Sequence, residues 1–219
     1  MDLSTLQFLE DLERNNNREW FQKNRDRYEG ARADFLSFYE RLLSEVMRFD
    51  EDVAKDREGS RKLFRINRDI RFSKDKSPYK SNFGGVIAPG GMKSSRALYY
   101  VHVQAGGRSG AAGGMHQPDP TTLLTVRKAV SSRFNELKTV LEADEFKEQF
   151  GGLSGGDALK RVPRGFDPQD PAAVYLRLRS FTAWRSFTDD EVCGDGFLQN
   201  VLRAFKAVKK LNDFLNSAL

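Results

Sequence analysis

Cysteine is almost absent from this 219-residue chain: Cys193 stands alone, so no internal disulfide can form and the fold must hold without one. A lone thiol suits a reducing compartment, and a cytoplasmic location is the expectation. Long apolar runs are missing as well. No stretch approaches the roughly 18 residues that a bilayer-spanning helix takes, and Met1-Asp2-Leu3-Ser4 lacks the basic and apolar regions of a secretory leader. No membrane partner is therefore expected. Histidine is scarce, with only His102 and His116, and two histidines give no recognisable metal site, although Asp69 with a histidine could assemble one in three dimensions. The dinucleotide fingerprint and the P-loop frame are also absent, and nothing points to a particular cofactor.

What is present describes a water-soluble globule. Charged residues make up 31%, and 17 Phe, 6 Tyr and 2 Trp supply an aromatic core. The length predicts one domain over residues 1–219, large enough to bury about 70% of its unfolded surface. Ser4 with Gln7 reads as a capping-box start for a helix carrying Leu6, Leu9 and Leu12, which ends at Asn15-Asn16-Asn17. Asn17 can cap a second helix of about 30 residues, bent near Gly30, with apolar positions from Trp20 to Met47 at three- and four-residue spacing. Asp50 to Ser60 reads as a charged loop.

The period then changes. From Leu63 to Phe72, apolar Phe64, Ile66, Ile70 and Phe72 alternate with Arg65, Asn67, Asp69 and Arg71, as in a strand with one covered face. Further strands are predicted at Phe83 to Ala88 and Ala97 to Gln104. Nine of the 18 glycines fall between Gly84 and Gly114, which marks turns and makes Gly106 to Gly114 the expected mobile segment. Asp119 and Pro120 open a helix, short helices follow at Phe134 to Leu141, Glu145 to Phe150 and Pro171 to Leu178, and Ser180 to Phe187 reads as an edge strand. Thr188 with Glu191 makes a capping box before a terminal amphipathic helix from Phe197 to Leu215. Together these elements predict an α+β fold, a mainly antiparallel sheet with N-terminal and C-terminal helices packed on it.

The net charge of +5 is local. Arg57 to Lys80 holds nine basic and three acidic side chains, a net of +6, which leaves −1 for the rest. Alternation would set Arg65, Asn67, Asp69 and Arg71 on one strand face in steps of roughly 6.6 Å, where guanidinium forks match a phosphate or carboxylate. A solvated strand face would show the same pattern. Arg68 interrupts the apolar side and needs a carboxylate, a polar cleft or a bulge; Glu19 is one candidate partner. The loop that follows carries Lys74, Asp75, Lys76, Tyr79 and Lys80, and loops at strand ends are where sites are commonly built. A solvated lysine-rich turn is the alternative.

The blocks Asn15-Asn16-Asn17-Arg18-Glu19-Trp20-Phe21, Arg68 through Lys80, and Tyr99-Tyr100-Val101-His102 resemble those of a widespread microbial family of conserved hypothetical proteins, a domain of unknown function. Leu159 through Phe166 is similar to that family's Lys-Arg-x-Pro-x-Gly-Phe segment. The resemblance spans nearly the whole chain and implies no activity. Some similar sequences carry a His-Lys pair where this chain has Asn24-Arg25, so no histidine role carries over there.

Three functions fit. The first is a site for an anionic small molecule, with Arg65, Arg68, Arg71, Lys74, Lys76 and Lys80 supplying charge, Asp75 beside them, and Tyr79 and Trp20 as walls. If it is an enzyme, phosphate-ester or nucleotide chemistry suits the charge, with Asp69 and His102 as the candidates for proton transfer and Asp69 orienting the imidazole. A histidine simply hydrogen-bonded within a sheet would look the same in sequence. The second is a nucleic-acid-binding module that uses the same loop. The third is a non-enzymatic protein whose basic patch meets an acidic partner.

Overall fold

Apolar side chains at helical spacing build the N-terminal layer of the computed structural model, which describes residues 1–91 and 94–219. Helix α1, Leu3–Arg14, buries Leu6, Phe8, Leu9 and Leu12. It starts one turn's fraction earlier than the Ser4 box suggests: Asp2 occupies the N-cap position, and Thr5 and the Asp2 amide both bond to Asp34, at 2.7 and 2.9 Å. Asn17 does cap the next helix by accepting from the Trp20 amide at 2.9 Å. That helix is two pieces, α2 Arg18–Lys23 and α3 Arg25–Val46. The break falls at Asn24, whose side chain bonds to the Trp20 carbonyl at 2.9 Å, and Gly30 lies undisturbed inside α3. The segment expected as a charged loop forms two short helices, α4 Glu51–Lys55 and α5 Arg57–Ser60, because Asp50 and Asp56 each cap one through a side-chain oxygen.

Five antiparallel strands follow in the order of the chain: β1 Arg61–Leu63, β2 Phe83–Ile87, β3 Leu98–Val103, β4 Ser109–Met115 and β5 Phe181–Phe187. Alternation gives the sheet two unlike faces. Phe83, Ile87, Tyr99, Val101, Ala111, Ala183 and Phe187 point into the core. The register then turns Gly84, Val86, Tyr100, His102, Gly110, Ala112, Thr182 and Trp184 to the other side.

The strand expected over Leu63 to Phe72 is a correction. Pairing with β2 ends at Leu63 opposite Gly85, with one further bond from the Phe64 amide to the Gly84 carbonyl at 3.0 Å. Beyond that point the chain no longer pairs with β2. The chain folds on itself as an arch, held by Lys80 N to Ile66 O at 2.8 Å and Arg68 N to Pro78 O at 2.9 Å. Ile66 is buried, whereas Phe72 at the tip is 95% exposed, so Arg65, Asn67, Asp69 and Arg71 do not share one strand face.

The glycine-rich segment is a second correction, since Gly110, Gly113 and Gly114 belong to β4, between β3 and β5. These glycines serve close approach. A Cβ on Gly113 would overlap Val208, and one on Gly114, at φ +113°, would overlap the Phe181 carbonyl. Even the preceding turn is pinned: the Asp189 carboxylate accepts from Gly106 N and Gly107 N at 2.8 and 2.9 Å.

The remaining helices are α6 Pro120–Ser132, α7 Phe134–Glu142, α8 Asp144–Phe150, α9 Ala173–Leu176, α10 Asp189–Cys193 and α11 Phe197–Asn216. Asp119 caps α6, Gly151 closes α8 at φ +67°, and Thr188 with Glu191 forms a complete capping box on α10. Helices α3 and α11 cover one sheet face, with Phe35 stacked on Phe83 at 5.4 Å and Phe205 against Tyr99 at 5.0 Å. The fold is thus α+β, with helices at both ends of the chain. Among the described residues no helix is long and apolar enough to cross a membrane.

Candidate functional site

The face of the sheet turned away from α3 and α11 carries the candidate site. A cleft of about 790 Å³ lies on it, floored by Phe64, Val86, Leu98, Tyr100, Ala112 and Trp184, with Ser94 to Arg96 on one rim and His116 to Asp119 on another. That volume falls within the range of small-molecule pockets, roughly 300–1,000 Å³. Its aromatic floor depends on missing side chains. A Cβ on Gly110 would collide with the Trp184 indole, and one on Gly84 would crowd the Tyr100 hydroxyl, so the glycines let both rings lie down on the strands. Phe64 meets Tyr100 edge-on at 6.0 Å, and Trp184 lies 6.4 Å from the Tyr100 ring. Trp184 remains 37% exposed, unusual for an indole held by neighbours on the same sheet.

Polar side chains back this floor. His102 Nε2 lies 2.9 Å from Gln104 Oε1, an acceptor, so the proton is assigned to Nε2. Nδ1 then accepts from the Tyr100 hydroxyl at 2.8 Å, and Gln104 passes the chain on to Ser81 Oγ at 3.2 Å. Both imidazole nitrogens are engaged within the protein, and His102 holds the Tyr100 hydroxyl from beside it on the same sheet face. Burial pushes its pKa below the ordinary histidine value, with a contribution from the Arg108 charge and opposition from the Gln104 bond. Burial likewise pushes Tyr100 up to about 12.

A stability dependence follows, with its sign fixed by the lowered pKa. The folded state holds His102 neutral more strongly than the unfolded chain does, so its contribution is complete above the unfolded value of about 6.5 and is lost as pH falls through and below it. Thermal unfolding between pH 7.5 and 5 should therefore show a larger loss of Tm for the wild type than for His102→Gln. Equal losses would remove His102 as the source.

The residues expected to form the site divide into several groups. Lys80 holds its ammonium 4.9 Å from the ring of Phe64 without itself lining the cleft, and burial together with the Arg65 charge lowers its pKa. Arg65 is exposed beside it. Arg68 pairs with Asp75 and also bonds to the Ser77 carbonyl at 3.3 Å and Ser73 Oγ at 3.4 Å. Glu19, the partner considered from sequence, instead bonds to Lys23 at 2.9 Å. Bonds from the Ser77 hydroxyl and amide, then from Arg68, hold Asp75 well below the usual carboxylate range. Asp69 is clasped by Arg71 at 3.0 and 2.6 Å, which lowers its pKa, and it makes no contact with His102. Lys76 bonds to the Ile70 carbonyl at 3.0 Å, and Lys74 is exposed.

Tyr79 and Trp20 sit in the packing under the arch. Tyr79 stacks on Phe21 at 4.0 Å, Trp20 lies against Phe8 at 6.1 Å, and Asn16 clamps the Tyr79 backbone through both its amide and its carbonyl, at 3.1 and 2.9 Å. The structure therefore joins the Asn-rich block to the Pro-Tyr-Lys block and sets Lys80 against Phe64, a cleft residue. The other basic candidates point along the arch. Tyr100 and Trp184 were not anticipated as ligand walls; the signal was the glycine pairing opposite them, which reads as turn composition until the register is known.

The fold and cleft define an α+β protein with one helix-covered and one open, aromatic sheet face. The chain belongs to the conserved hypothetical protein family DUF2461, whose model matches residues 4–214. Neither the curated proteins nor the solved structures contain a match to it.

Proposed function

We propose that the chain binds an anionic, aromatic small molecule, phosphorylated or nucleotide-like, in the cleft on the open sheet face. The observation that carries this reading is the convergence of Phe64, Tyr100 and Trp184 in one cleft of ligand size, a set of ring faces suited to stacking. Lys80 packed against Phe64, with the Arg65 charge near it, supplies positive charge next to the cleft, and the arch adds to the local potential that draws anions in. A reducing, cytoplasmic setting suits Cys193, whose thiol is pushed up by burial and so is poorly reactive.

Tryptophan fluorescence tests the reading. Adenosine monophosphate should quench the emission saturably, and Trp184→Ala should weaken binding by roughly 10- to 100-fold as read by thermal shift, from the loss of about 1–3 kcal/mol of stacking. Absence of saturable binding for this nucleotide and for phosphorylated sugars, or equal affinity in the variant, would overturn it. One observation favours a second reading. Phe72 is 95% exposed beside Arg71, with Lys74 close by in sequence, and a bare aromatic among cations suits single-stranded nucleic acid. Oligonucleotide binding that falls steeply with salt and is lost in Phe72→Ala would move the assignment to the arch.

A further inference from the structure

A buried guanidinium outside the aromatic cleft lacks a counter-ion. Arg127, on α6, is only 8% exposed. Its one hydrogen bond runs from Nη2 to the Leu178 carbonyl at 2.8 Å. Nε is buried with no partner at all, and among the described residues no carboxylate pairs with this side chain. A guanidinium has five donors, is always charged, and is expensive to take out of water uncompensated. Other arginines in similar surroundings are provided for: Arg185, also on the core side of the sheet, reaches both Gln149 and Glu191.

The side chain is not sealed in. It lines a second cleft of about 350 Å³ together with Arg179, Asp157, Leu123, Leu159 and Pro118. Arg179 lies close enough that its charge, after burial, helps to lower the pKa of Arg127. Two cations are thus held near each other, with Asp157 pairing only with the outer one, Arg179, at 3.5 Å. The geometry that enforces this is built from the backbone: Leu159 N bonds to Arg177 O at 2.8 Å, and Arg179 N to Asp157 O at 3.3 Å. That short ladder holds the 157–159 segment against 177–179, and it presents the Leu178 carbonyl to Arg127.

From this we infer that the second cleft is an oxyanion-binding site, in which Arg127 and Arg179 receive the carboxylate or phosphate of a small molecule whose apolar part rests on Leu123, Leu159 and Pro118. The planar fork of Arg127 matches either group in a bidentate manner, and the volume admits the acid group with a few carbon atoms. Gln117 and Pro118 line this cleft and the aromatic one alike. The two clefts therefore adjoin, and a single ligand spanning both would rest on the function proposed above. The anion site itself does not depend on it.

Thermal unfolding of the full chain in inorganic phosphate, and separately in acetate, against chloride at matched ionic strength tests the site and separates the two oxyanions. Wild type should show a saturable rise in Tm with one of them, of roughly 5 °C at a hundred times Kd. Arg127→Met should abolish that rise while leaving Tm in chloride equal to or above wild type, since an uncompensated buried charge has been removed. Arg179→Gln, at an exposed position, should weaken the response several-fold and guards against misfolding of the first variant. Trp184→Ala should keep the phosphate or acetate response even where it loses a ring-bearing ligand, so failure of the aromatic reading and failure of this one are distinguishable. An unchanged response in both arginine variants, or no saturable response of the wild type to either anion, would overturn the assignment.

Discussion

Replacing Gly114 with Ala is expected to destabilise the fold by about 4 kcal/mol and, in a chain of 219 residues, to lower Tm by roughly 8–16 °C. Two effects add at this position. The backbone sits at φ +113°, where a side chain is strained, and a Cβ would overlap the Phe181 carbonyl on the neighbouring strand. Gly114 pairs with Thr182, so any shift that relieves the overlap separates β4 from β5 beneath the aromatic floor. Chemical denaturation measures the effect directly. A loss under about 1 kcal/mol would show that the strand relaxes without strain, well below the ordinary range for overpacked positions.

Asn16→Ala is expected to cost about 2 kcal/mol, the worth of two hydrogen bonds made to partly buried backbone. The effect should be local. Asn16 holds the Tyr79 amide and carbonyl at 3.1 and 2.9 Å, and with that clamp gone the arch keeps only the Tyr79 stack on Phe21 at this point, while Phe8, Phe35 and Phe205 stay packed in the core. Limited trypsin digestion should then cut at Arg71, Lys74 or Lys76 several times faster than in wild type. If cleavage there is unchanged, the clamp does not order the arch. The prediction also bears on the blocks that the family shares. The Asn-rich block and the Pro-Tyr-Lys block meet at this clamp and at the Phe21 and Tyr79 stack, so a large part of their sequence serves to fix the arch.

The helices and most strands were legible because their signals are local. Asp119 before Pro120, Thr188 with Glu191, and the three- and four-residue spacing along α11 each act within one turn, and each matches the structure. The alternation from Phe64 to Phe72 misled for a physical reason. A period of two states that neighbouring side chains oppose one another, but it does not state that a partner strand is there to bond with. Beyond Leu63 the partner is the segment's own tail, at Pro78 and Lys80. Glycines in β4 misled in the opposite direction, because close packing against Val208 and Trp184 depends on residues about 70 to 95 positions away. Of the residues singled out from sequence, Lys80 packs against Phe64 and His102 bonds to Tyr100, while neither lines the cleft. The sequence could not reveal that Tyr100 and Trp184 meet, since β3 and β5 are not even adjacent in the sheet. Arg127 was invisible as well: in sequence it is one cation on an amphipathic helix, and only the fold removes its counter-ion.

The strand order has a kinetic side. Each strand lies beside the next one in the chain, yet the intervals are unequal. Only residues 104–108 separate β3 from β4, whereas residues 116–180 separate β4 from β5. Treated as flexible chain, closing the longer interval costs about 2 kcal/mol more in entropy, which is on the order of a 50-fold handicap in bringing the ends together. Trp184 and the floor it completes therefore belong to the slowest-closing piece of the sheet, so the aromatic cleft is the last part of the open face to take shape.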